Sequence, residues 1–375
     1  MEWLALILLV GLAGPLLALP RRFALPVALG ELLAGVVIGR SGFDLLPLEQ
    51  PEFELLKQVG FAVVMMLVAS HIDVRAVLAS KIAIPALGNV LLVTVFGLLV
   101  GWFAYAITGV GSVALFAVLL SSSSAAVVLP ALGDKEALRK HSVLVAQVTF
   151  ADLLALIALP VVQSGTQGLS TIFGAALLGI LAFALFGLLH WADSSGRWKK
   201  LRKVSRDRHL GMELRLSLIL LLSLSALAQN LTVSVMLAGV GVGLAIAANG
   251  VPRRLARQMF AVSEGFFAPL FFVLLGATLD FRAAFSSPSL ILLAMILGFG
   301  AVAAHLAATL NRMPVRYALV SASQMGVPAA AVSLGQASGQ LSGAQGAAIM
   351  LAAVITLLVT AVAVSGIPQR ELKGA

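Results

Sequence analysis

Apolar runs of about 17 to 25 residues recur from one end of the chain to the other, each long enough to cross a hydrocarbon core of about 30 Å as a helix. Backbone amides in hydrocarbon must be satisfied within the protein, so a chain of this kind folds as a helical bundle or as a closed barrel. Ten-residue strands of alternating polarity are missing, which leaves the bundle. With shorter apolar stretches of 12–15 residues counted beside them, the spans fall at roughly 2–19, 25–38, 56–69, 82–107, 113–132, 143–162, 171–191, 214–227, 233–247, 266–277, 290–310, 315–334 and 343–364, about thirteen in all. With 60% hydrophobic residues, 11% charged and a mean hydropathy of +1.06, the composition lies outside that of a soluble domain. Cysteine is absent, which excludes disulfides and thiolate metal sites. The stretch Met1–Pro20 lacks the basic start of a signal peptide and reads as a retained first span.

The net charge of +9 suggests nucleic acid until its placement is examined. Arg21/Arg22, Arg75/Lys81, Lys135/Arg139/Lys140, the run Arg197 to Arg215, Arg253/Arg254/Arg257, Arg312/Arg316 and Arg370/Lys373 fall in alternate loops and hold 22 of the 25 basic residues. The positive-inside rule then puts the N-terminus outside and the C-terminus in the cytoplasm of a cell (inner) membrane, with no nucleic-acid partner. The opposite loops are short, and the one from Arg40 to Glu54 is mildly acidic. Asp193 to Glu213 reads as a basic linker on the anionic inner leaflet, with lipid or nucleotide sensing as the alternative. Val251 to Val262, with Arg253, Arg254 and Arg257 beside Leu255 and Met259, reads as an interfacial helix.

Two places break the apolar pattern. Ser121, Ser122, Ser123 and Ser124 interrupt the fifth span ahead of Pro130, and Ser321-Ala322-Ser323-Gln324 interrupts the twelfth ahead of Pro328. Paired interruptions in two halves of a chain point to a transporter of repeated design with its site where the unwound segments meet; spacing alone leaves inversion of the repeats open. The span after the first break carries Asp152 near its middle. A carboxylate at the centre of a membrane helix costs on the order of 2.5–3.5 kcal/mol by insertion scales, so it reads as an ion site, against a structural acid paired to a neighbour. One carboxylate for which H⁺ and a cation compete is sufficient for antiport. Serine hydroxyls and freed carbonyls replace water around an ion, and opposed half-helix dipoles balance each other. Ser121–Ser124 and Gln324 are therefore candidate ligands or crossing-point caps, with close helix packing of small residues as the plain alternative. Thr149, three residues before Asp152, offers a further hydroxyl. Glu31 and Glu264, at or near span starts, read first as helix N-terminal charges and second as charge partners. Asp280 with Arg282, like Asp73 with Arg75, reads as a boundary pair.

Five segments in register then resemble a known family. Gly30-Glu31-Leu32-Leu33-Ala34-Gly35-Val36-Val37-Ile38-Gly39, Ile72-Asp73-Val74-Arg75, the broken helix Ser121–Pro130, Asp152, and Phe271-Phe272-Val273-Leu274-Leu275-Gly276 are similar to the monovalent cation:proton antiporters of the second group. That group takes in Nap-type sodium/proton exchangers and the membrane part of Kef-type potassium efflux systems. The resemblance implies an all-α inverted-repeat fold with two crossed broken helices, working as a homodimer by an elevator-like cycle. Core helices are expected at about 82–162 and 290–364, dimer-face helices at about 2–69 and 214–277, and a linker helix with its basic loop at about 171–213. Kef-type proteins carry a nucleotide-binding domain after the last span. The chain reaches about ten residues past Val364, so no such domain is expected here, and gating of that kind would need a separate cytoplasmic subunit.

Three departures follow. The electrogenic exchangers of the family have two adjacent acids where this chain has Ala151-Asp152, and a lysine near the place of His305. A single acid favours electroneutral one-for-one exchange. His305 is either a titratable sensor and weak substitute for the lysine or a neutral hydrogen-bonded histidine. His71 stands where the family has an acid and reads as a membrane-boundary residue first, a pH sensor second. The expected function is H⁺ exchange for Na⁺ or K⁺ without a cofactor. A sodium-coupled organic-solute symporter of related fold and a channel-like or ion-sensing protein are the alternatives. An enzyme is not expected: the lone intramembrane aspartate has no acid partner, the serines lack a base at a known spacing, and no His/Glu zinc pattern is present.

Overall fold

The computed structural model describes residues 2–19, 26–70, 80–132, 139–163, 168–195, 203–205, 207–208, 210–231, 233–250 and 253–367. His71, Asp73, Arg75 and most of the basic segment after Asp193 lie outside them. In chain order the helices are α1 (Glu2–Gly11), α2 (Ala13–Ala18), α3 (Val27–Ile38), α4 (Pro51–Ser70), α5 (Ser80–Thr108), α6 (Val113–Ser121), α7 (Ala125–Leu132), α8 (Ser142–Val162) and α9 (Gly168–Ser194). There follow α10 (Met212–Asn230), α11 (Val235–Ala248), α12 (Arg253–Val262), α13 (Ala268–Thr278), α14 (Phe281–Ser286), α15 (Pro288–Leu306), α16 (Val315–Ser321), α17 (Gly326–Ala337) and α18 (Gly343–Ser365). Among the described residues, nine helical runs are long and apolar enough to cross a membrane, and four shorter apolar helices stand at the remaining expected spans.

The helix expected at the interface over 251–262 and the tenth span expected from 266 are joined end to end. A π turn at Ser263–Phe267 joins α12 to α13, so the helix runs without interruption from Arg253 to Thr278. No proline interrupts it before α13, and Leu255 and Met259, one turn apart, are both buried. Asp280 and Arg282 do not pair. Asp280 caps α14 by accepting the Ala283 N–H at 2.9 Å, while Arg282 donates to the carbonyls of Ser41 and Gly42 at 2.9 and 2.7 Å. Side chains two apart on a helical turn point in different directions.

One compact unit comprises Met1–Leu8, Leu48–Arg75 and Ser164–Phe271. In hydrocarbon the helices have no water to escape, so close backbone approach through small residues supplies much of the attraction. Accordingly α4 and α11 meet at Gly239 and Gly243, where a Cβ would overlap the carbonyls of Ala62 and Met66. Leu178, Ala228, Val233 and Ala238 join α9, α10 and α11.

The second unit comprises Leu9–Pro47, Ala76–Gln163 and Phe272–Ala375. Here α3 crosses α13 at Gly35 and Gly276: a Cβ on the first would strike Val273 O, and one on the second Leu32 O. Two of the segments that carry the family resemblance thus lie against each other, and their glycines are what permits it. A core of Val93, Val128, Leu144, Val148, Ala304 and Val320 draws in residues from both interrupted helices.

Candidate functional site

All of the site lies in this second unit. The first break forms because serine competes with the helix for its own carbonyls. Ser121 Oγ donates back to Ala117 O and Ser122 Oγ to Leu119 O, both at 2.7 Å, and Ser122 turns extended (φ −75°, ψ 152°). α6 therefore ends at Ser121 and α7 starts at Ala125. In the second break α16 ends at Ser321 and α17 starts at Gly326. Pro328 falls in the first turn of α17, where no backbone donor is needed. Ser122, Ser123, Ser124, Ser321, Ser323 and Gln324 are all buried.

Three of the four helix ends that the breaks expose meet a group of complementary polarity. Asp152, 4% exposed on α8, accepts the Ala125 N–H at 3.2 Å and so faces the positive end of α7. Among the described residues this is the only hydrogen bond the carboxylate receives, and no lysine or arginine pairs with it. At the negative end of α6, Gln324 Nε2 donates to Leu119 O at 2.6 Å and to Ser122 O at 3.2 Å. At the end of α16, Ser321 O accepts from Ser123 Oγ. The backbone of Gln324 is held in turn by Thr356 Oγ1 at 3.1 Å. Gln324 is thus a crossing cap, and its amide protons face carbonyls.

His305 is fully buried, with Nδ1 at 2.9 Å from Ala301 O and Nε2 at 3.3 Å from Ser123 Oγ. A carbonyl only accepts, so Nδ1 carries a proton. Ser123 has one proton for two neighbours, Ser321 O and His305 Nε2. While it donates to Ser321 O, the contact with the ring is a hydrogen bond only when Nε2 is protonated too. His305 thus touches the first break directly. Thr149, 4% exposed, donates to Val145 O at 2.8 Å and keeps its oxygen lone pairs available. Glu31 lies in the second turn of α3, buried, with its Cγ where a side chain on Gly14 would stand, and is no N-terminal cap. Glu264 falls inside the π turn of a continuous helix, so it does not cap a helix start either.

Four features escaped the sequence reading. Ser323 Oγ is buried in the second break without a hydrogen-bond partner among the described residues. Pro160 lies inside α8 and has no N–H, which deprives Leu156 O of its helical donor one turn beyond Asp152. Asn89 and Gln147, each 1% exposed, form a buried amide pair that extends to Asn311 and Ser321. Gln163 closes the C-terminal end of α8, donating to Ala331 O at 2.9 Å. The signal for the amides was present: a lone Asn or Gln in an apolar span demands a partner.

The sequence profile described as "Sodium/hydrogen exchanger, transmembrane" matches residues 4–367. The chain belongs to the sodium/hydrogen exchanger family. It is 23% identical over 390 aligned positions to a protein of Bacillus subtilis (strain 168) named "Putative Na(+)/H(+) antiporter YjbQ", covering 98% of this chain and 63% of that one. The chain therefore spans under two thirds of the length of this relative. The solved structure of the sodium proton antiporter MjNhaP1 from Methanocaldococcus jannaschii at pH 8 superposes with a TM-score of 0.64 over 97% of this chain and 95% of that one, at 16% identity. That likeness establishes a shared antiporter fold.

Proposed function

We propose that the chain exchanges H⁺ for a monovalent cation, Na⁺ or K⁺, one for one across the cell inner membrane, with the N-terminus outside and the C-terminus in the cytoplasm. Asp152 is the shared carboxylate. The observation that carries this reading is its setting: a buried acid on the mid-span face of α8, against the open N-terminus of α7, with no basic partner among the described residues. Such a carboxylate holds either a proton or a cation, never both, and the competition couples the two fluxes. Ser121–Ser124, Thr149, Ser323 and the Leu156 carbonyl are the oxygens from which a dehydrated cation draws its ligands. A single loading charge, with His305 exchanging no net proton over the cycle, makes the exchange electroneutral. In the alternating-access step the helices at 82–162 and 290–364 move as an elevator, while those at 2–69 and 214–277 hold the homodimer together.

The test uses purified protein in liposomes with an internal pH dye and an acid load, wild type beside Asp152→Asn, with Na⁺, K⁺ or Li⁺ added outside. The expected result is cation-driven alkalinisation that the variant loses and that clamping the voltage with valinomycin and K⁺ leaves unchanged. No proton movement with any cation would refute the exchange. Cation currents without proton coupling, or sodium-dependent uptake of a solute, would replace it with a channel or a symporter.

A further inference from the structure

Asp152 reaches the first break. Five residues earlier on the same helix, about 7.5 Å along its axis, Gln147 reaches the second. Gln147 Nε2 donates to Ser321 Oγ at 3.3 Å, and its Oε1 accepts from Asn89 Nδ2 at 2.9 Å. Asn89 Oδ1 accepts in turn from Asn311 Nδ2 at 2.8 Å, and the same Asn311 nitrogen lies 3.2 Å from Pro85 O. At the far end Ser321 Oγ donates to Ala318 O at 2.8 Å. The Pro85 and Ala318 carbonyls can only accept, so every amide in the chain is fixed in one orientation, donors pointing from Asn311 toward the second break.

We propose that Gln147 is the positioning residue of the ion site, the group that holds the acid helix at a fixed height on the second break while Asp152 changes partner. The proposal rests on the exchange reading above. α8 is bound to the two breaks by bonds of opposite sense: Asp152 accepts from Ala125 N–H in the first, and Gln147 donates to Ser321 Oγ in the second. The first bond must weaken whenever the carboxylate takes up a proton or a cation. The second involves no group that titrates, and it lies in a low-dielectric interior where a broken amide bond finds no water to replace it. Ser321 also accepts from Ser123 through its carbonyl, so the residue Gln147 grips, like Gln324, ties the two breaks together. A helix gripped here keeps Asp152 in register with the hydroxyls and carbonyls around it through each change of occupant.

The variant is Gln147→Met, close in volume and without the amide, with Asn89→Leu as the second change, which leaves Gln147 in place but frees its orientation. The chain has no cysteine, so Lys140→Cys and Val315→Cys, both exposed and lying just before α8 and at the start of α16, accept spin labels without background. Pulsed dipolar spectroscopy then reads the distance between the two helices. The expected result is a wider distance distribution in both variants, with an apparent cation KM raised about tenfold in Gln147→Met and a maximum rate within about twofold of wild type. An unchanged distribution in Gln147→Met would overturn the positioning role whatever transport does. A widened distribution with an unchanged KM would sever positioning from the ion site and overturn the proposal as well. Should the wild type itself move no protons, the exchange reading falls, and the distance measurement still decides whether Gln147 holds the helix.

Discussion

Replacing Ser323 with alanine is expected to make the protein more stable and a worse ion binder, two opposite signs from one oxygen. A buried hydroxyl without a partner costs on the order of 1–3 kcal/mol. Ser323 is fully buried, and its Oγ has no hydrogen-bond partner among the described residues. Removing it therefore raises the melting temperature of the cation-free protein by an amount corresponding to a gain of that order. If the oxygen serves as a ligand, its loss weakens cation binding by about 1.4 kcal/mol, or tenfold. The two effects separate in a melting series with and without the cation. At a cation concentration of about 100 Kd, the wild type gains about 2.7 kcal/mol from binding, whereas a site tenfold weaker gains about 1.4 kcal/mol at the same concentration. Purified protein in detergent, heated with choline chloride or with NaCl and KCl at matched ionic strength, gives all four numbers. A variant less stable than wild type in choline would mean that the hydroxyl has a partner and would refute the reasoning. Equal cation increments in both proteins would remove Ser323 from the ion site.

Other outcomes follow from the same geometry. Because proton and cation exclude each other at Asp152, acidification through the titration range of this carboxylate raises the apparent cation KM, by up to about tenfold per pH unit, while the maximum rate at saturating cation holds; pH-stepped liposome kinetics would show a fall in maximum rate alone if the sites were separate. Gln324→Leu leaves Ser122 O without the donor it has now, so thermal unfolding is expected to report a loss of about 1–3 kcal/mol together with lost transport. Pro160→Ala restores the helical donor to Leu156 O; the expected result is a higher melting temperature with a raised cation KM, and an unchanged KM would exclude that carbonyl as a ligand. Gly276→Val places side-chain atoms into Leu32 O and is expected to cost about 1–3 kcal/mol or more, visible as reduced yield of folded protein on size-exclusion chromatography.

The site was legible where one residue type in one local setting suffices. Asp152 stands out because a carboxylate in an apolar span is costly wherever its neighbours lie, and Ser121–Ser124 because four hydroxyls in a row unwind the helix that contains them. His305 stood out only as a substitution for a lysine; that it touches Ser123 is a fact of folding. Glu264 misled because the apolar run placed from 266 made it look like the residue before a helix start, whereas the backbone runs through it as a π turn.

Local sequence alone determined the expected spans, the two interruptions and the place of the buried acid, since hydropathy over about twenty residues and the cost of a charge in hydrocarbon are properties of the segment itself. Tertiary structure alone decided which groups meet. Gln324 finds Leu119 across 205 residues of chain, Asn89 finds Gln147 across 58, and Ser323 finds no partner. Hydrogen bonding depends on ångström distances and on angles at the acceptor, and a linear pattern of polar and apolar residues specifies neither until the helices have crossed.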